Sequence, residues 1–226
     1  MPVKKFSLRR TNSSGSVLYL WEGEIRMRER SAGPEANKCL ALAVRANETG
    51  SMERLVKTYQ SQIYAFALRL LRNPFDAQEV AQDAFIKAHQ ALTRKYDEDA
   101  CRNLSLRPWL FRIAHNEAHN RLRARRSPGQ EPLPLDDRRS DGMSRNGDDP
   151  GKALEDDQRR QLLDAALTRL KSDVREVIVL RFYEGLPYAE IAEVLSIAES
   201  AARGKAFRAL RELRGILTRM EAQNAL

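Results

Sequence analysis

The 226-residue chain is poor in cysteine: Cys39 and Cys101 stand far apart and in no CxxC arrangement. Two such residues build neither a disulfide framework nor a cysteine-rich zinc site, and they suit a reducing cytoplasm. No apolar run approaches the ~20 residues that span a bilayer, so membrane insertion is not expected. The basic start "MPVKKFSLRR" is followed by "TNSSGS" rather than an apolar stretch, which does not read as a signal peptide. Runs of alternating β-branched residues are missing, as are internal repeats, so the chain reads as all-α. It also lacks a glycine-rich phosphate loop, a nucleophile–base–orienter set and paired carboxylates in a credible pocket. Neither enzymatic activity nor a cofactor is expected.

What is present is positive charge and helical periodicity. The formal net charge is +8, with 42% hydrophobic residues. That apolar content suffices for one or two domains with real cores. The basic balance suits an anionic partner, nucleic acid or an acidic membrane surface, or else marks a merely basic soluble protein.

The chain divides by composition. Residues 1–38 mix polar, glycine and charged residues around a short "VLYLW" and show no period; they read as a loose extension, with Met27 as an alternative start. "CLALAVRA" (39–46) predicts a short helix. From Ser51 to Leu71 apolar residues recur at three and four spacing, predicting a long helix that Asn73-Pro74 interrupts. Asp76 is the expected cap of a helix from about Ala77 to Arg94. "KYDEDACRNLSLRP" reads as an irregular polar loop, and a further helix runs from Pro108 to about Arg126. Residues 127–152 are dense in Pro, Gly, Ser and Asp and read as a flexible linker. Beyond it, helices are expected at 153–171 and 173–184. "GLPYAEIAEVLSIAESAARGKAFRALRELR" then has a helix-turn-helix outline. The expected architecture is two small helical domains, 39–126 and 153–226, joined by the linker.

The second helix of that outline starts at Glu199. Ala202, Ala206, Ala209, Leu210, Leu213, Ile216 and Leu217 fall on one side as a core seam. Ser200, Arg203, Gly204, Phe207, Arg208, Arg211 and Arg214 fall on the rest. An ordinary helical hairpin with a solvated basic face would give the same wheel. In helix-turn-helix proteins the N-terminal end of this helix enters the major groove, where Arg reads guanine or grips phosphate. The candidate duplex-binding set is Glu199, Ser200, Arg203, Gly204, Lys205, Phe207, Arg208 and Arg211. Gly204 costs about 1 kcal/mol relative to alanine in a helix; it either permits close approach to DNA or is simply tolerated.

A second basic surface lies on "WLFRIAHNEAHNRLRARR". Arg112, His115, His119, Arg123 and Arg126 form one stripe, with Trp109, Asn116 and Asn120 beside it. Cations, an aromatic and amides are what single-stranded nucleic acid requires. A solvated face with Trp109 in the core fits the pattern equally. His115 and His119 stand at i, i+4, but Glu117 does not directly follow the first histidine as in a zinc-protease motif, and no third ligand is evident, so no metal is expected. On the preceding helix, Gln78, Glu79, Gln82 and Asp83 cluster as a solvated acidic face or a protein-docking face.

These parts in this order resemble the extracytoplasmic-function (ECF) sigma factors, compact members of the bacterial sigma-70 family. "FDAQEVAQDAFIKAHQAL" is similar to the family's A-E-D-x-x-Q-x-x-F helix. "WLFRIAHNEAHNRLR" is similar to W-L-[YF]-x-I-A-x-N-x-x-x-D-x-x-R, and "VREVIVLRFYEGLPYAEIAEVL" to R-x-V-x-x-L-R-x-x-E-G-x-x-x-x-E-I-A-x-x-L. The resemblance covers about 39–126, as region two, and 153–218, as region four. It implies a cytoplasmic protein that binds core RNA polymerase and directs promoter choice. It places Gln78, Glu79, Gln82 and Asp83 on the polymerase-docking helix, with Phe85 as packing. The loop at 94–107 and helix 109–126 would open and hold the −10 element, Asn116 and Arg123 matching the motif, and the helix from Glu199 would read the −35 element. An anti-sigma partner that holds the protein inactive is a further implication. Several positions depart from the pattern: Gln78 for Glu, Asn120 for Asp, Lys171 for Pro, Pro187 for a capping hydroxyl residue, and Ser200-Ala201-Ala202 for Gly-Thr-Val. They bear on which −35 sequence is read. The alternatives are a stand-alone helix-turn-helix regulator, which leaves the first domain without a task, and an enzyme such as a recombinase or zinc hydrolase, which lacks its catalytic set.

Overall fold

The computed structural model describes residues 34–125 and 162–224, and every regular element among them is helical. Helix α1 spans Pro34–Arg45, α2 Ser51–Leu71, α3 Pro74–Arg94, α4 Glu98–Asn103 and α5 Leu106–Arg125. The second half has α6 (162–168), α7 (Ser172–Ile178) continued by a π-helical turn (Val179–Tyr183), α8 (Tyr188–Leu195) and α9 (Glu199–Asn224). The proposed linker 127–152 and the extension before residue 34 lie outside the described residues, as does Arg126.

Helix α1 begins at Pro34, inside the segment read as a loose extension, and three further features differ from expectation, each for a capping reason. Helix α3 begins at Pro74 because Asn73, not Asp76, is its cap: the Asn73 side chain accepts from the N–H of Phe75 and Asp76. Proline at the first helical position loses no hydrogen bond there. The polar loop after α3 holds a helical turn, α4, whose cap Asp97 accepts from Ala100 N–H at 2.7 Å and which buries Cys101. The expected helix 173–184 turns π-helical at Val179 and is closed by Gly185 in a left-handed conformation (φ 70°), with Leu186 N–H returning to Leu180 O at 2.9 Å.

The apolar face read from periodicity on α2 does form the first core. Leu55, Tyr59, Ile63 and Phe66 of α2 meet Val80, Ala84 and Ala88 of α3 and Leu110, Phe111 and Ala114 of α5. That core does not stop at the end of the first half. Val177, Leu180, Leu186, Ile191, Val194, Ala202 and Ala206 belong to the same buried cluster: α8 packs onto the first lobe along α5, and the start of α9 joins through its packing on α8. A smaller cluster of Ala166, Leu167, Leu170, Val174, Ile178, Ala209, Leu213 and Ile216 is the second lobe's own. Polar contacts cross the junction as well. The Arg107 guanidinium donates to Glu184 O, and that of Arg69 lies 4.1 Å from the Tyr183 ring centre.

Candidate polymerase and promoter interfaces

The helix-turn-helix forms as its spacing predicts. Helix α8 ends at Ser196, whose left-handed conformation (φ 53°) reverses the chain, with Ile197 N–H bonded to Ala192 O at 3.0 Å. Helix α9 then starts at Glu199. Pro187 caps α8 without a side-chain hydrogen bond, as its lack of a hydroxyl requires. Ala202, Ala206, Ala209, Leu213 and Ile216 are buried, while Ser200, Arg203, Gly204, Phe207, Arg208 and Arg211 are exposed. Phe207, at 61% exposure, is a large apolar side chain in the middle of a cationic face. Arg203 is held by Glu199 one turn earlier and lies 4.9 Å from the Tyr188 ring centre, so the two groups beside it fix its direction. Lys205 lies at the flank instead, 3.3 Å from Asp173 of α7. A Cβ on Gly204 would meet nothing within 4 Å, so packing within the chain does not demand glycine there.

On α3, Gln78, Glu79 and Gln82 are exposed and Asp83 half-buried, and Phe85 is buried as expected. The acids are not left to solvent. Arg121 of α5 reaches Glu79, Asp83 at 3.6 Å and Asp76 at 3.7 Å, and Arg125 pairs with Asp76. Two residues missed in the sequence extend this face: Phe75 (78% exposed) and Ile86 (55% exposed). With Glu79 and Gln82 they recur at 75, 79, 82 and 86, a helical spacing that would have revealed them had apolar residues been sought on the acidic side.

The basic stripe on α5 is divided by the second lobe. Asn116, Asn120 and Arg123 are exposed, and the Asn120 side-chain oxygen accepts from Arg123. Trp109, by contrast, is only 5% exposed; its Nε1–H donates to the Tyr96 hydroxyl at 3.0 Å, and its ring packs against Tyr96. It is a core residue in this conformation, which corrects its placement as an accessible stacking surface. Arg112 is half-buried and lines a hollow that it shares with Glu193 of α8.

His115 and His119 also turn away from solvent, toward Glu176 of α7. The carboxylate lies 3.0 Å from His115 Nε2 and 2.7 Å from His119 Nε2, and the two rings are 4.3 Å apart. Burial pushes the Glu176 carboxyl up, but hydrogen bonds from both imidazoles outweigh this and bring it to about 2. Glu176 is thus the third group that the sequence did not supply; it comes from 57 residues beyond His119, on the other lobe. Glu117 faces the opposite way and pairs with Lys87 of α3 at 2.5 Å.

The family description "Sigma-70 region 2" matches residues 55–127, and "Sigma-70, region 4" matches residues 160–213. The RNA polymerase sigma-H factor of Pseudomonas aeruginosa is 33% identical over 182 residues, covering 77% of this chain and 90% of the relative. The ECF RNA polymerase sigma-E factor of Escherichia coli strain K12 is 29% identical over 177 residues, covering 76% and 90%. Among solved structures, CnrH in complex with the cytosolic domain of CnrY superposes with a TM-score of 0.58 at 25% identity, covering 80% of this chain and 97% of that one. The sigma factor RpoE of Bartonella quintana, solved with the anti-sigma factor NepR, gives a TM-score of 0.58 at 22% identity and so speaks for the fold. Both halves match in the order in which their surfaces occur here, and the chain belongs to the sigma-70 family of RNA polymerase sigma factors, in its ECF class.

Proposed function

We propose that the protein divides sigma work between its lobes: residues 39–126 bind core RNA polymerase through α3 and the −10 element through α5, and residues 153–226 bind the −35 element through α9. The observation that carries this reading is the separation of exposed chemistry. An acidic face edged by Phe75 and Ile86 lies on α3, amides and Arg123 lie on α5, and a cationic face around Phe207 lies on α9. The −35 set is Ser200, Arg203, Gly204, Phe207, Arg208 and Arg211, with Glu199 orienting Arg203 and Lys205 at the flank. The −10 set accessible in this conformation is Asn116, Asn120 and Arg123. Arg112, His115 and His119 join it only once α7 and α8 leave α5, and Trp109 only if it also leaves its packing on Tyr96. The work is done in the cytoplasm, where the polymerase is. A protein partner that holds the lobes together as an anti-sigma factor is part of the proposal; its support is the likeness to CnrH, which was solved with the cytosolic domain of CnrY.

The test is transcription from a fragmented genomic library with core polymerase and the purified protein. New start sites sharing upstream elements are expected. DNA binding without polymerase association or new starts would favour a stand-alone regulator. Two variants separate the lobes. Arg203→Ala is expected to weaken duplex −35 binding by roughly 5- to 150-fold, the loss of about 1–3 kcal/mol from a bidentate base contact. Asn116→Ala is expected to spare that binding and slow promoter opening by roughly five- to tenfold, about one hydrogen-bonded contact. Equal loss of the same step by both variants would refute the division. For the docking face, Gln82→Lys changes an exposed side chain without touching the Arg121 pairs. It is expected to lower core-polymerase affinity by roughly tenfold, as is Phe75→Ala. Unchanged affinity in a binding titration would remove α3 from the interface.

A further inference from the structure

We propose that His115, His119 and Glu176 form a divalent-cation site of the zinc class that clasps the two lobes together. Two histidines one turn apart on α5 and a carboxylate on α7 aim Nε2, Nε2 and the carboxylate oxygens at one point, all within 4.8 Å of one another. Two imidazoles and a carboxylate are a donor set that suits zinc better than magnesium or calcium.

The spacing is close to what a cation needs. Zinc holds nitrogen and carboxylate oxygen at ~2.0–2.2 Å, so a tetrahedral set has its donor atoms about 3.3 Å apart. The present N···O separations are 3.0 and 2.7 Å, and moving each ligand by roughly half an ångström opens the position. Glu176 is buried and His115 half-buried (side chains 6% and 13% exposed), while His119, at 36%, borders solvent. That leaves an entry path and room for water as fourth ligand. Glu176 is not taken by its neighbour Arg175, whose guanidinium is turned onto backbone carbonyls. His115 Nδ1 is buried with no hydrogen-bond partner among the described residues, and Nε2 is the atom that meets Glu176 and would ligate.

A cation here would pin α5 to α7 and hold two residues of the proposed −10 set away from DNA. This consequence rests on the reading of α5 as the −10 helix; the site itself does not. The metal-bound form would be the closed form, and metal would restrain promoter opening.

The test uses the full chain after chelator treatment. Cobalt(II) is titrated in and followed by its visible absorption, then displaced with zinc. One equivalent with four-coordinate bands is expected, and Glu176→Gln and His119→Ala should each weaken binding by at least about tenfold. Circular dichroism checks that both variants fold. In transcription with core polymerase, yield from the wild-type protein should fall over the same zinc range, while yield from Glu176→Gln should not. Absence of stoichiometric uptake by the wild-type protein, or equal uptake by both folded variants, would overturn the site. Uptake with transcription indifferent to zinc would overturn the clasp as a control on opening. Specific uptake by a protein that supports no transcription under any condition would uphold the site and sink the sigma reading instead.

Discussion

Phe111→Ala is expected to lower stability by about 3–5 kcal/mol, the range for truncating a fully buried phenylalanine. Phe111 has no exposed surface and packs edge-on against Phe66 of α2, with ring centres 5.3 Å apart and planes at 86°. The aromatic pair adds about 0.5–1.5 kcal/mol to the burial itself. The site cannot collapse to refill the space, because α2, α3 and α5 are long helices locked to one another on several faces. A domain stable by ~5–15 kcal/mol loses a large part of its margin. The melting temperature should fall by roughly 6–20 °C, whereas Phe111→Leu should cost less than about 1.5 kcal/mol. Function should suffer in the same order, since α5 also holds the α3 acids through Arg121 and Arg125. Thermal unfolding of Phe111→Ala that shifts no more than that of an exposed control such as Ser200→Ala would show that this ring is not central to the core.

The elements that could be read in the sequence are those whose signal is local. The turn at Ser196 and the seam Ala202–Ala206–Ala209–Leu213 follow from spacing alone, because a helix-turn-helix packs its own two helices. The same holds for the long apolar face of α2. What could not be read depends on contacts made across the chain. A helical wheel places Arg112, His115 and His119 beside Asn116, Asn120 and Arg123, and only the docking of α7 and α8 separates a covered row from an exposed one. Trp109 had two readings, and the hydrogen bond to Tyr96, 13 residues away, decides for the core. Glu176 carries no sequence mark of its role; it sits in an apolar run, where a buried carboxylate is explained only by the imidazoles it meets. The cap of α3 differs from expectation for another reason. Asn73 and Asp76 both suit a cap, and the preference of Pro74 for the first helical position settles it.

Arg175 supplies the second large effect. Its guanidinium, in a residue only 8% exposed, donates to Leu167 O at 2.9 Å, Thr168 O at 3.0 Å and Leu170 O at 2.7 Å. These are carbonyls at the end of α6 and just beyond it, where a helix leaves acceptors without intrahelical partners. Arg175→Ala removes this donor from all three inside a packed lobe; Leu167 O keeps the N–H of Leu170 at 3.1 Å, so the loss falls on Thr168 O and Leu170 O. The expected cost is about 2–4 kcal/mol, since each buried acceptor left unsatisfied costs about 1–3 kcal/mol and entering water recovers part of it. Arg175→Lys should fall between, because a single ammonium cannot reproduce the planar fork. The loss should be local. Hydrogen exchange is expected to quicken in α7 and in the stretch of α9 that packs on it, while the α2–α3–α5 core keeps its protection. Binding of −35 duplex should weaken with that opening, and polymerase affinity through α3 should persist. Uniform acceleration of exchange through both halves would mean that the shared core makes the lobes one cooperative unit. Among the described residues the second lobe's own core is small: Ala166, Leu167, Leu170, Val174, Ile178 and their partners on α9, with Leu163, Phe182 and Tyr183 packed against them. Its dependence on Arg175 and on contact with α5 is therefore one property: a lobe with a small core draws on a neighbouring lobe for apolar burial and on one buried guanidinium for the backbone acceptors at the end of α6.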